Sequence, residues 1–407
     1  MKTVLYVEES ENALVNALIL RQDIQLLLIR FCNSLNFSRQ HLQSTTHIPV
    51  FILDKKADFE ENCTHLAAFL KEECNGVDIF FNDSEFNQVY IQRIARALHL
   101  PGALTDTQSD IVRDKLHMKE FLRSEGIPCS EYAALECFED AVACGAHWGY
   151  PFIIKWRIGV SSIEVYKINS LCQLQALKLE FSQGKYMAEK YQPDKIWCLD
   201  AIVSAGSIIQ NLYTWLPYTN LDFAQYKTRF CQMAVGFPPQ SWKFDTKRLT
   251  QRIVSALKLQ NGYLHLEAFI SSDGIPTICE FAWRTPGDHI LQNFTLLYGC
   301  SVENLLIDVL LGKSINPLPE IQGCVADIFL PMTEGIIRNI SSISSLQTKC
   351  QIHAGEIFYH RGDQLVSRRA YTDSTGWVQV IGVDIPDTMK KVEEVYCNFI
   401  LETEAIS

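Results

Sequence analysis

Long apolar runs, paired cysteines and basic clusters are all missing from this sequence, and each absence excludes a class of protein. No window approaches the roughly 18 apolar residues that a membrane helix needs. The 14 cysteines are scattered singly without a C-x-x-C pair, which argues against a zinc ribbon or a secreted disulfide scaffold. With a net charge of -11 and no basic run, the chain is not expected to bind nucleic acid.

The start of the chain also lacks the pattern of a secretory signal. Its first apolar stretch is short and runs directly into Glu8 and Glu9. We therefore expect a cytoplasmic protein without a membrane anchor. A G-x-G-x-x-G motif is missing after the first strand pattern, which argues against a dinucleotide site there.

Strand and helix patterns alternate over the first hundred residues. Strands are predicted at residues 3–7, 24–29, 49–53 and 77–81, with amphipathic helical stretches between and after them. Alternation of this kind predicts a doubly wound, mostly parallel sheet.

The following two hundred residues predict a different arrangement of strands and helices. One helix is predicted over about 107–124, and Gly126-Ile127-Pro128 ends it. Later elements are strands at 152–155, 186–191, 199–203, 207–212, 262–270 and 276–281, and helices at 247–259 and 302–311. After Pro317 and Pro319, short strands with glycine turns predict a small β-rich C-terminal lobe.

Two glutamates are predicted on neighbouring strands. Glu267 and Glu280 lie on strands joined by Ser-Ser-Asp-Gly, a strong turn signal, so their side chains can face one another across the ladder. Two buried carboxylates are unfavourable unless a cation lies between them, and Mg²⁺ with nucleotide phosphates fits such a pair. Arg284, just past the strand end, could bind a carboxylate or a phosphoryl group. An exposed hairpin with ordinary surface charges is the alternative.

Two lysines and a loop of small residues come earlier in the chain. Lys115 is near a helix start, and Lys155 ends an apolar strand and is expected to project into a cleft. The alternative for either lysine is a structural position at a sheet edge, where the aliphatic stem packs on apolar surface and the ammonium group reaches solvent. Gly159, Ser161 and Ser162 could form a loop over phosphates. A further strand with Glu189, Lys190 and Tyr191 could offer backbone groups to adenine.

In this order, these segments resemble the ATP-grasp superfamily over roughly residues 100–310. The resemblance implies an ATP-grasp fold of the α/β class with an N-terminal doubly wound α/β domain. It also implies roles for individual residues: phosphate binding by Lys115 and Lys155 beneath a loop with Ser161 and Ser162, adenine recognition by Glu189, Lys190 and Tyr191, metal binding by Glu267 and Glu280, and catalysis by Arg284.

The ending E-x-A-x-R-x-P-G-D looks like the carboxylate–amine ligase branch that includes the L-amino acid ligases. This resemblance implies an enzyme that uses ATP and Mg²⁺ (or Mn²⁺) to activate a carboxylate as an acyl phosphate. An amine then forms an amide or a dipeptide, with release of ADP and phosphate. Gly287 and Asp288 are expected to face the substrates. His289 could contact a substrate or act as a base, but a packing or solvent-exposed histidine is the favoured alternative, and His265 could lie near the metal.

Three positions depart from the broader ATP-grasp pattern. Ala282 stands where many members have a metal-binding Asn, and Glu164 with Ser161 replaces loop glycines. The usual ribose-binding glutamate falls on Ile196, which leaves Asp200 as a candidate for that contact. The pocket loop from 216 to 237 offers only aromatic residues as recognisable features, namely Tyr218, Phe223 and Tyr226.

The predicted domains are an N-terminal α/β domain at 1–103, a small ATP-grasp lobe at 104–188, a large lobe at 189–318 and the C-terminal lobe at 319–407.

The expected partners are a small-molecule carboxylate and amine, with an amine on a carrier protein as another option, and a homodimer would fit the family. Three other functions stay open: carrier-protein aminoacylation, a nucleotide-biosynthesis or carboxylase-like ligase, and a nucleotide-binding regulator that has lost catalysis.

Overall fold

Four β-sheets form the framework of the computed structural model, which describes residues 1–32, 37–177, 179–181, 184–226, 229–366 and 373–405. The first sheet contains β1 Lys2–Glu8, β2 Ile24–Phe31, β3 Val50–Leu53 and β4 Ile79–Asn82, with helices α1 Ala13–Ile19, α2 Arg39–Ser44, α3 Phe59–Glu73 and α4 Gln88–Ala97. Its strands are parallel, in the order β3-β2-β1-β4. Helices cover both faces, so β1 and β2 are buried along nearly their whole length and have continuous apolar sequences. The predicted parallel sheet is therefore confirmed.

Two short helices, and not the single helix predicted over 107–124, lead out of this sheet. They are α5 Asp106–Ile111 and α6 Lys115–Ser124. The prediction is wrong because the chain turns at Asp114, whose carboxylate accepts hydrogen bonds from the backbone N–H groups of Leu116 and His117. This N-cap makes Lys115 the first residue of α6.

The second sheet has four antiparallel strands. These are β5 Tyr132–Leu135, β6 Phe152–Trp156, β7 Val165–Ile168 and β8 Tyr186–Lys190, in the order β5-β8-β6-β7, with helices α7 Phe138–Trp148 and α8 Leu171–Ala176. Side chains alternate along β6: Phe152 and Ile154 pack into the apolar core of this unit, while Ile153 and Lys155 face the opposite side. That alternation directs Lys155 into a cavity.

Eleven further strands follow among the described residues. They are β9 Lys195–Ser204, β10 Ser207–Leu216, β11 Phe230–Val235, β12 Gly262–Ile270, β13 Pro276–Ala282, β14 Cys324–Phe329, β15 Gly335–Ile340, β16 Ala354–Ile357, β17 Gln364–Leu365, β18 Gly376–Gly382 and β19 Leu401–Glu404. Eight of them form one antiparallel sheet in the order β13-β12-β9-β10-β11-β14-β18-β16, and the other three form the sheet β17-β15-β19.

The large sheet joins two parts of the sequence that the predicted domain limits separate. Strands β14, β16 and β18 come from the predicted C-terminal lobe, yet they continue the sheet of the preceding segment through β11. Helices accompany these strands: α9 Asn220–Tyr226, α10 Thr246–Ala256, α11 Ile290–Tyr298, α12 Val302–Leu310, α13 Ile343–Lys349 and α14 Ile385–Asn398. Val392 and Val395 of α14 belong to the apolar core beneath this sheet.

No helix in the described part of the chain is long and apolar enough to cross a membrane.

Candidate active site

A cavity lies where the second sheet faces strands β9, β12 and β13 of the large sheet. It measures about 1670 Å³ with its open mouth included. The predicted site residues that line it are Lys115, Lys155, Ser161, Ser162, Glu189, Lys190, Tyr191, Glu267, Glu280, Arg284, Gly287 and Asp288. Residues from helix α6, the second sheet and the large sheet therefore meet at one site, although up to 173 positions separate them in the chain.

Lys115 enters the cavity from the first turn of α6. Its Nζ lies 3.2 Å from Glu280 Oε2 and donates a hydrogen bond of 2.7 Å to the carbonyl oxygen of Gly159. Two interactions fix the helix start: Asp114 caps it, and the Arg157 guanidinium donates to both carboxylate oxygens of Asp114. The buried ammonium group is thus held by the fold before any ligand binds.

Lys155 and Glu189 form a buried ion pair on neighbouring strands, with Nζ 2.8 Å from Oε1. Lys119, one helical turn after Lys115, lies 3.4 Å from the same oxygen and is fully buried. Burial alone would raise the pKa of Glu189, but the charges of Lys119 and Lys155 hold it below its ordinary value. Burial likewise opposes the charge on Lys155, but Glu189 raises its pKa. Sequence patterns did not indicate Lys119, although its i+4 spacing from Lys115 places both on one helix face.

Glu267 and Glu280 are directly opposite each other in the β12–β13 ladder, as predicted. Burial acts to raise the pKa of Glu280, but Lys115 and Lys155 hold it below its ordinary value. The pair therefore offers hard carboxylate oxygen ligands inside a cavity, which is the donor type that Mg²⁺ binds. Ala282, two residues further on, lines the same cavity but supplies no ligand atom.

The loop that carries Ser161 and Ser162 crosses one side of the cavity. Ser161, Ser162 and Glu164 have positive φ angles of 54°, 58° and 57°, a backbone region where glycine is the usual residue. Glu164 points away from the cavity, because its Oε2 accepts hydrogen bonds from the hydroxyls of Tyr166 and Tyr186 at 2.5 and 3.0 Å. The replacement of glycine by Glu164 thus anchors the loop and adds no negative charge to the cavity.

The segment predicted to contact adenine forms another wall of the cavity. The Tyr191 ring lies beneath the Lys167 ammonium group, 4.1 Å from the ring centroid. Asp194 and Ile196 line the cavity next to it. Asp200, the candidate for a ribose contact, does not line it, and that prediction is wrong. Its buried carboxylate is held by the Tyr263 hydroxyl, the His265 ring and the Leu266 N–H.

Arg284 pairs with a carboxylate that sequence patterns did not indicate. Its Nε donates a hydrogen bond of 2.8 Å to Glu85 Oε2, and its Nη2 contacts the same oxygen. Burial acts to raise the pKa of Glu85, but Arg284 and Lys115 hold it below its ordinary value. Glu85 follows β4, and the neighbouring Asp83 accepts hydrogen bonds from Thr285, so the first sheet closes this end of the cavity.

The far end of the cavity is rich in hydrogen-bond acceptors. Gln232 Nε2 donates to Asp288 Oδ2 at 3.2 Å. The side-chain oxygens of Asn220 and Gln232 are buried without a hydrogen-bond partner in the described part of the chain. These polar residues line the wall where only aromatic side chains were recognisable in the sequence. Of those aromatics, Phe223 is buried in the core, and the side chain of Tyr226 lies outside the described residues.

His289 lies outside the cavity lining, although Gly287 and Asp288 are part of it. Its Nδ1 is 2.9 Å from Asp327 Oδ2, and its ring centroid is 4.2 Å from that of Trp377. The structure therefore gives His289 a packing position behind the substrate end of the cavity.

The chain has the ATP-grasp fold. No family model matches the chain. Over 260 residues it is 23% identical to the L-arginine-specific L-amino acid ligase of Bacillus subtilis. The match covers 61% of this chain and 62% of that protein, so it spans less than two thirds of the relative's length.

Two solved structures share the fold over nearly the whole chain. The L-amino acid ligase from Bacillus licheniformis superposes with a TM-score of 0.76 at 14% identity, covering 99% of both chains. Carboxyaminoimidazole ribonucleotide synthase from Aspergillus clavatus, complexed with ATP, gives a TM-score of 0.68 at 16% identity, covering 97% of both. The predicted resemblance to ATP-grasp carboxylate–amine ligases is confirmed.

Proposed function

We propose that this chain is an ATP-dependent carboxylate–amine ligase that joins two amino acids, or an amino acid and another amine. The observation that carries the proposal is the meeting of Lys115 and Lys155 with the opposed Glu267 and Glu280 in one cavity. Phosphoryl transfer from ATP requires cations that bind the triphosphate and carboxylates that hold its metal ion. Arg284 at the adjoining wall supplies a further cation at the reacting end.

In this proposal the nucleotide lies along the second sheet. Lys115 and Lys155 bind its phosphates beneath the loop of Ser161 and Ser162. The backbone of residues 189–191 and the Tyr191 ring contact adenine. Asp194, which lines the cavity three residues after Tyr191, replaces Asp200 as our candidate for the ribose hydroxyls.

Glu267 and Glu280 would hold the magnesium ion, and the geometry fits this assignment because the two carboxylates are directly opposed and line the same cavity. When bound, Mg²⁺ would neutralise phosphate charge and hold the γ-phosphate in place. Lys115, with its Nζ 3.2 Å from Glu280 Oε2, also balances part of the carboxylate charge. Two metal-binding carboxylates are present even though Ala282 supplies no third ligand.

The proposed chemistry has two steps. An oxygen of the substrate carboxylate forms a bond to the γ-phosphorus as the bond to the β-phosphate oxygen breaks, giving an acyl phosphate and ADP. The amine nitrogen then attacks the acyl carbon, phosphate leaves, and the nitrogen loses its proton. Arg284 stabilises negative charge on the phosphoryl group and then on the oxyanion. A closed cavity protects the acyl phosphate from water.

The acceptor-rich end of the cavity supports amino acids as substrates. The buried oxygens of Asn220 and Gln232, which have no hydrogen-bond partner among the described residues, are costly until a donor reaches them, and an α-ammonium group supplies several donors. Asp288, held by Gln232, adds negative charge beside them. An amine on a carrier-protein arm is the alternative acceptor. A homodimer and a cytoplasmic location remain predictions.

The proposal is tested by incubating the chain with MgATP and a panel of single and paired amino acids. ADP and phosphate release would be measured, and products identified by mass spectrometry. ADP release that needs both substrates, with a product mass equal to their sum minus one water, is the expected result. Glu280→Gln should abolish it. ADP formation that depends on bicarbonate and an aminated ribonucleotide, without an amino acid, would contradict the proposal.

A further inference from the structure

Beyond the magnesium-binding pair, a second group of ligand atoms lies on the same strands. Cys198 on β9 is directly opposite Glu267 on β12, and His265 is two residues before Glu267 on the same strand face. The Cys198 sulfur, a His265 ring nitrogen and a Glu267 carboxylate oxygen all lie within 4.8 Å of one another. All three side chains line the cavity.

The orientation of His265 is fixed from behind by Asp200. Its Nδ1 is 2.8 Å from Asp200 Oδ1, which leaves Nε2 directed towards Glu267, 3.8 Å from Oε1. Histidines that bind metals are commonly oriented in this way by a carboxylate at the other ring nitrogen. Asp200 is fully buried and is itself fixed by Tyr263 and Leu266, so this support is rigid.

We propose that Cys198, His265 and Glu267 form a binding site for a borderline or soft divalent metal such as Zn²⁺, distinct from the magnesium pair and sharing only Glu267 with it. Sulfur, nitrogen and carboxylate ligands suit Zn²⁺, whereas Mg²⁺ prefers oxygen ligands. Tetrahedral zinc with bonds of about 2.0–2.3 Å needs ligand atoms roughly 3.3–3.8 Å apart, so small side-chain shifts complete the site.

The shared Glu267 gives this site a consequence for the proposed activity. A zinc ion bound to Cys198 and His265 draws Glu267 away from Glu280, on the opposite side of β12. Zinc and magnesium therefore compete for one carboxylate, and zinc inhibits magnesium-dependent ATP turnover. Binding also releases the thiol proton of Cys198, because the thiolate is the ligand.

The first measurement is metal binding itself, independent of catalysis. Zn²⁺ would be titrated into the metal-free chain against a chromophoric chelator, and Co²⁺ would serve as a spectroscopic probe. One zinc per chain and a thiolate-to-cobalt absorption band are expected. Cys198→Ala should weaken zinc binding at least about tenfold and remove the band. Cys231→Ala, at a buried cysteine elsewhere in the same sheet, is the matched control and should change neither.

Two further variants separate this site from the proposed magnesium pair. Cys198→Ser keeps the side-chain size, so loss of zinc binding there reflects the missing sulfur and not a folding defect. Glu280→Gln should keep zinc binding while losing ATP turnover. Equal zinc affinity in Cys198→Ala and Cys231→Ala, or a cobalt complex without the thiolate band, would overturn the zinc site. Retained ATP turnover in Glu280→Gln would instead refute the magnesium assignment and leave the zinc site standing.

Discussion

Arg284 donates a hydrogen bond of 2.8 Å from Nε to Glu85 Oε2, across 199 positions of sequence. The arginine follows a strand of the large sheet, and the glutamate follows a strand of the first sheet. A substrate carboxylate or a transferring phosphoryl group that uses the Nε and Nη2 donors of Arg284 replaces this internal carboxylate. Glu85 thus occupies the position that we assign to an anionic substrate.

Glu85→Gln should strengthen binding of the acid substrate. The uncharged amide competes less well than the carboxylate for the Nε and Nη2 donors of Arg284, so an acid substrate displaces it more easily. We expect the KM of the acid to fall about three- to tenfold while the KM of ATP changes little. Glu85→Asp, which keeps the charge, is the control. A higher KM for the acid in Glu85→Gln would show that Glu85 helps to bind the substrate.

Arg284→Lys should lower kcat by about 10²–10³, because one ammonium group cannot replace two aligned guanidinium donors on a developing oxyanion. The KM of ATP should stay within about twofold, since the phosphates are assigned to Lys115 and Lys155. Steady-state kinetics with both substrates separates these effects. An unchanged kcat with a higher KM for ATP would place Arg284 on the nucleotide instead.

The carboxylate pair could be predicted from sequence because its determinants are local. A turn signal joins the two strands, which is why Glu267 and Glu280 could be expected to face each other. Their exact opposition also depends on a register shift between Glu267 and Ala268, which the sequence pattern does not reveal. Lys155 could be predicted as a site residue because it ends an apolar strand. Lys115 could be predicted because it belongs to an Asp-Lys motif. The parallel first sheet could be predicted equally well. Helices cover both of its faces, so its strands have continuous apolar sequences that are recognisable in the chain.

Glu85, Lys119 and the strands that complete the large sheet could not be predicted in this way. Glu85 matters only because its sheet packs against the end of β13, a contact that no local pattern encodes. Lys119 occupies an ordinary helical position until Glu189 faces it. The break before Lys115 contains neither glycine nor proline, and the second helix begins at the N-cap formed by the side chain of Asp114.

Glu189→Gln should destabilise the chain in a pH-dependent manner. The substitution leaves the buried Lys155 and Lys119 without their carboxylate, which costs about 3–5 kcal/mol in comparable buried pairs. The folded-state pKa of Glu189 is depressed, so its stabilising contribution is present above the unfolded value of about 4.3 and is lost as the pH falls through the folded value. The difference between variant and wild type should therefore be largest near neutral pH and shrink below about pH 4.

Denaturant unfolding at several pH values, with metal and nucleotide removed, measures this difference. Lys190→Gln is the control, because Lys190 pairs with Glu131 at the surface, and little pH-dependent loss is expected there. A Glu189→Gln variant as stable as wild type at pH 7 would contradict the assigned role of this ion pair.

Asp114→Ala should weaken both the start of α6 and nucleotide binding. The substitution removes the acceptor for the N–H groups of Leu116 and His117, and loss of such a cap costs about 1–2 kcal/mol. It also releases Arg157, which holds the helix start against the second sheet. Because Lys115 is the next residue, its ammonium group loses its fixed position, and the KM of ATP should rise.

Asp114→Asn separates the two contributions of this side chain. Asparagine caps helices about as well as aspartate, but it loses the charge that attracts Arg157. We therefore expect Asp114→Asn to keep most of the stability lost in Asp114→Ala and to show an intermediate KM for ATP. Thermal unfolding and ATP-dependent kinetics of both variants measure these effects. If both variants match wild type in stability and in the KM of ATP, the position of Lys115 is set by the sheet contacts of the Gly159 loop and not by the helix cap.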